Sequence, residues 1–171
     1  MTDIDSIALS DAAIDRIVQF AKSSMFERTF KDGMALLEET SAYLDGPGRA
    51  AAKRLPRMAA LSYAAESMRL TTRLMQVASW LLVQRAVREG DMPIAEAASQ
   101  RYRLAGRPEP SAPLLAGGEE LPEGLRGLIG QVRALHERVR RLDEDMYGEG
   151  GADNAVGAHF ARLQQAFGGK A

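Results

Sequence analysis

The sequence predicts an all-α protein: a three-helix bundle with short accessory helices, a flexible Pro/Gly-rich linker and a C-terminal tail. Two observations predict it. Three long stretches place apolar residues alternately three and four apart, the spacing of a heptad seam on a helix. No stretch shows the period-two alternation of a half-buried strand.

The longest stretch, Tyr63 to Gly90, holds no proline or glycine before its last residue. At about 100° of rotation per residue, Leu61, Ala65, Met68, Thr72, Met75, Ser79, Leu82 and Ala86 fall on one line. Leu70, Leu74, Val77 and Leu81 form a second line on the opposite side. A helix apolar on two faces needs a cover on each. Between the lines runs a polar strip of Glu66, Arg69, Arg73 and Gln76, ending at Trp80. It reads either as a salt-bridge ladder or as a partner-binding surface on the folded body. Helical spacing makes Met68 and Met75 core positions rather than an adaptable groove.

The other elements follow in order. Ser10 caps a short helix from Asp11 to about Lys22, within an N-terminal extension of residues 1–22. The bundle domain spans 23–146. Its first long helix carries Phe26, Phe30, Gly33, Leu37, Thr40 and Leu44, and stops at Asp45-Gly46-Pro47-Gly48. A helical turn over 49–55 precedes Pro56, which opens the central helix. Asp91 and Pro93 start another short helix reaching Leu104. Residues 105–120, with three prolines and three glycines, read as an exposed connection, either a spanning crossover or a disordered loop. Leu125, Leu128, Val132, Leu135, Val139, Leu142 and Met146 then mark the third long helix. Tyr147 to Asp153 reads as a glycine-rich hinge. Beyond it Val156, Phe160, Leu163 and Phe167 form an amphipathic stripe, so residues 147–171 are expected to be a tethered, partner-binding tail.

Composition excludes several chemistries. Without cysteine, no disulfide, thiolate metal site or cysteine nucleophile is available. His136-Glu137 opens like a zinc-peptidase motif, but Arg140 stands where the second histidine belongs. No nucleophile–base pair and no phosphate loop is present, so the expectation is a non-enzyme with no cofactor and no metal. With 22 basic and 23 acidic residues the net charge is -1, which gives no global field for nucleic acid. The basic run Arg49, Lys53, Arg54 and Arg57 reads as a solvated helix end, or as the handle of a DNA-associated regulator. The acidic start is not a secretory signal. The most apolar segment, Leu74 to Val83, is half the about 20 residues a membrane span needs. The expected location is the cytoplasm.

Residues 42–49 (AYLDGPGR), 55–90 (LPRMAALSYAAESMRLTTRLMQVASWLLVQRAVREG) and 156–168 (VGAHFARLQQAFG) resemble the alphaproteobacterial family named regulator of CtrA degradation. The likeness is strongest over residues 26–104 and looser in the last helix and tail. It implies a homodimeric three-helix bundle that serves the ClpXP protease as an adaptor, with recruitment to the cell pole. Such a protein binds cargo, including cell-cycle transcriptional regulators, and brings it to a protease primed by a response-regulator adaptor. The family's flexible carboxy-terminal segment, implicated in that work, corresponds here to the tail. A purely structural dimerisation module is the remaining alternative.

Overall fold

The computed structural model describes residues 9–104 and 118–148, and these hold helices and turns without a strand. The elements are α1 (Asp11–Ala21), α2 (Ser24–Asp45), α3 (Pro47–Ala52), α4 (Arg57–Glu89), α5 (Ile94–Ala97) and α6 (Glu123–Tyr147). Two further turns of 3-10 helix cover Gln100–Tyr102 and Gly118–Glu120.

Each boundary has a local cause. Ser10 accepts a hydrogen bond from the Ala13 amide at 3.3 Å, capping α1. Ser23 does the same for α2 from the Phe26 amide, 3.2 Å away, and donates its hydroxyl to the Phe20 carbonyl at 2.7 Å. One serine thus ends α1 and starts α2. Pro47 opens α3 at its first position, where a missing amide hydrogen is harmless. The 33-residue α4 begins after Pro56 and ends at Gly90, whose φ of 82° lies in the left-handed region that closes a helix most easily with glycine. The single short helix expected from Pro93 to Leu104 is instead broken into α5 and a 3-10 turn. Arg103 and Leu104 are drawn into hydrogen bonds with α6, which a continuous helix would not allow.

Three long helices form the body. Glu27 pairs with Arg88 at 2.6 Å near one end, and Tyr43 lies near Tyr63 around Gly48 at the other, so α2 and α4 are antiparallel. A Cβ on Gly48 would stand 2.6 Å from both the Tyr43 ring and the Tyr63 hydroxyl, so no other residue fits this corner without a shift. In contrast α4 and α6 run parallel, because Gln76, Trp80 and Gln84 meet His136, Asp143 and Tyr147 in the same order. The chain therefore returns along the bundle between Gly90 and Pro122; of the connection expected over 105–120, residues 105–117 lie outside the described residues.

The core joins Leu70, Leu74, Val77 and Leu81 of α4 to Leu125, Leu128, Val132, Leu135 and Val139 of α6, with Phe26 and Leu36 of α2. Contrary to its expected standing as an extension, α1 belongs to this core. Ile17 is wholly buried, and the Phe20 ring lies 6.1 Å from that of Trp80 and 5.8 Å from that of Phe26. Tyr147 is likewise no hinge residue: it is 4% exposed and ends α6 inside the core.

Candidate functional site

Of the two apolar lines of α4, the described residues cover only one. Leu70, Leu74, Val77 and Leu81 are buried, while Leu61, Met68, Met75 and Leu82 are 52, 72, 55 and 52% exposed. Met68 and Met75 are thus surface residues, not core residues. Unbranched thioethers at these places leave a face that repacks readily against whatever covers it. Ser67, Thr71, Thr72 and Ser79 lie beside them, and together they line a shallow open groove along the middle of the helix. The hydroxyls of Thr71 and Thr72 donate to the carbonyls of Ser67 and Met68 at 2.8 and 2.9 Å. Satisfied within the helix, these side chains leave chiefly their methyl groups to a partner.

The polar strip lies on the flank of α4 that turns toward α6. Trp80 is 1% exposed, and its indole N–H donates to Asp143 Oδ1 at 2.8 Å, so it is an interior residue and not part of a surface. Gln76 meets His136 Nε2 at 3.2 Å and also borders the outer groove. Glu66 and Arg69 pair with each other, at 19 and 12% side-chain exposure, and Arg73 is half-buried. Gln76 and Trp80 thus reach across to α6, while Glu66 and Arg69 pair within α4. Periodicity could not separate the two readings, since the residue that decides between them, Asp143, lies 63 positions away from Trp80.

Asp143 is the centre of a buried polar knot that no spacing in the sequence announces. Wholly buried, it accepts from Trp80, from Arg103 Nε at 3.0 and 3.1 Å, and from the Leu104 amide at 3.1 Å. Arg103 also donates to the Tyr147 carbonyl at 2.9 Å and lies 5.3 Å from the centre of the Tyr147 ring. The Tyr147 hydroxyl donates to Gln84 at 2.9 Å, and burial pushes its pKa up to about 12. A buried charge kept this well partnered fixes geometry: it ties the start of the crossover to the last turn of α6.

The expected tail contacts Val156, Phe160, Leu163 and Phe167 lie outside the described residues. Among the described residues, no group of three or more His, Asp or Glu is placed to hold a metal ion. No helix there is long and apolar enough to cross a membrane.

The comparisons with known proteins follow the same outline. The model of the family described as protein of unknown function (DUF1465) matches residues 17–167. No curated protein matches the chain. The crystal structure of RcdA from Caulobacter crescentus CB15 is 56% identical in sequence and superposes with a TM-score of 0.64, covering 77% of this chain and 98% of that one. The chain therefore belongs to the DUF1465 family and, on its identity with RcdA, to the regulator of CtrA degradation family.

Proposed function

We propose that the protein is a non-enzymatic adaptor of regulated proteolysis. It binds cargo proteins such as cell-cycle transcriptional regulators and delivers them to the ClpXP protease, in company with a response-regulator adaptor, in the cytoplasm and at the cell pole. The observation that carries this reading is the 56% identity with RcdA over nearly the whole of that chain. The open apolar face of α4 supports it, because a protein that works by contact keeps a surface to make contacts with.

In this reading the face around Met68 and Met75 joins two copies into a homodimer. The stripe Val156, Phe160, Leu163 and Phe167 is the tethered contact for a partner. Tethering raises the local concentration of each weak contact, so neither surface needs high affinity alone. Of the strip on the body, Gln76 touches a bound partner, a role that its position beside the groove supports, and Glu66, Arg69 and Arg73 continue that surface along α4.

A reconstituted proteolysis assay tests the proposal. The full chain is expected to accelerate cargo degradation. Deleting residues 148–171 is expected to abolish that acceleration while helicity and thermal midpoint stay nearly unchanged. A deletion that unfolds the bundle would make the tail structural; a full chain without effect on degradation would end the adaptor reading.

A further inference from the structure

One corner of the bundle gathers four cations that no described residue neutralises. Arg49, Lys53, Arg54 and Arg57 surround the α3–α4 turn, and all four are exposed. Residues 46–65 contain no Asp or Glu. Several arginines elsewhere are neutralised at short range: Arg85 with Glu89 and Arg101 with Glu96 at 2.8 Å, Arg88 with Glu27 at 2.6 Å, Arg140 with Glu137 and Glu144 at 2.7 and 2.6 Å. Among the described residues, none of the four has such a partner. Asp45, Glu119, Glu120 and Glu123, the acids belonging to this end, form no ion pair with them.

The corner also works against the helix it begins. The first turn of α4 has no acid and no capping side chain, and Arg57 stands at the positive end of its dipole. An acid there would stabilise α4; a cation does the opposite. Next to Arg57, Met58 is 50% exposed. Among the described residues the surface is thus a set of unpaired cations beside an apolar side chain.

From this we infer that the α3–α4 corner is a docking surface for an acidic segment of a protein partner, one that carries an apolar side chain among its carboxylates. A nucleic-acid backbone fits less well. It offers nothing for Met58, and a chain of net charge -1 confines attraction to this small patch, whereas a duplex presents a phosphate charge about every 1.7 Å. The inference deepens the adaptor reading and rests on it for the existence of a protein partner. It adds a contact point at the end of the bundle opposite the root of the tail, since Gly124 of α6 packs on Tyr43 at this end and Tyr147 reaches Gln84 at the other.

The test measures binding of the full chain to a short labelled peptide of glutamates with a leucine at every fourth position, beside its lysine counterpart and a short DNA duplex. The glutamate peptide is expected to bind, more weakly as salt rises, and the other two not. Joint replacement by Arg49→Glu, Lys53→Glu, Arg54→Glu and Arg57→Glu is expected to weaken binding by at least about tenfold. Its thermal midpoint should not fall, because Arg57→Glu complements the α4 dipole. The corresponding glutamine variant should lie between the two. Equal binding by the charge-reversed chain, or preference for the duplex, overturns the inference. Failure of the native chain to bind the peptide while it still accelerates cargo degradation overturns the docking surface alone. Peptide binding without any acceleration upholds the surface and removes the adaptor reading.

Discussion

Asp143 shows how a single side chain decides what its neighbours are for. Because it accepts from Trp80, Arg103 and the Leu104 amide, an indole that looked like a surface anchor becomes an interior strut. Replacing Arg103 by methionine leaves that buried carboxylate short of its main counter-charge. Arg103→Met is expected to cost about 3–5 kcal/mol of stability in urea unfolding, the range for breaking one side of a buried pair. Tyr147 supplies a pH signature. Burial raises its hydroxyl from 10.0 to about 12, so the folded state favours the protonated form. Its contribution is complete below pH 10 and is lost as pH rises through 12. Unfolding midpoints should decline over that window, and Tyr147→Phe should make the decline shallower without abolishing it, because burial also raises Tyr63.

At the level of helices, both apolar lines of α4 were legible in the sequence, as were the seam of α6, the cap at Ser10 and the opening of α4 at Pro56. Which line turns inward was not. Leu70 to Leu81 and Leu61 to Leu82 have the same periodicity, and only packing against α6 distinguishes them. The knot was equally hidden, since hydrogen bonds spanning 40 and 63 residues leave no local pattern. The exposed line yields a prediction of its own. Met68→Glu with Met75→Glu adds charge to positions that are solvated in the single chain, so the stability of the monomer itself should change by no more than about 0.5 kcal/mol per site. Light scattering at roughly tens of micromolar is expected to report a dimer for the native chain and a monomer for the double variant. A native monomer would leave this face to a different partner.

Across the whole molecule, the parallel course of α4 and α6 spaces three features along an axis of about 50 Å, the length of a 33-residue helix. The basic corner stands at one end, the root of the tail at the other, and the open face of α4 lies between. The Arg103–Asp143–Tyr147 knot sits where the tail begins. That position matters mechanically. In the proposed role of a protease adaptor, force applied beyond residue 148 would reach the body at this point. A pull on Gly148 first loads the Arg103 bond to the Tyr147 carbonyl and, behind it, a buried charge pair whose parting would leave a charge without its partner in the interior. The same few atoms that shape the core thus brace the chain against traction from its carboxyl end.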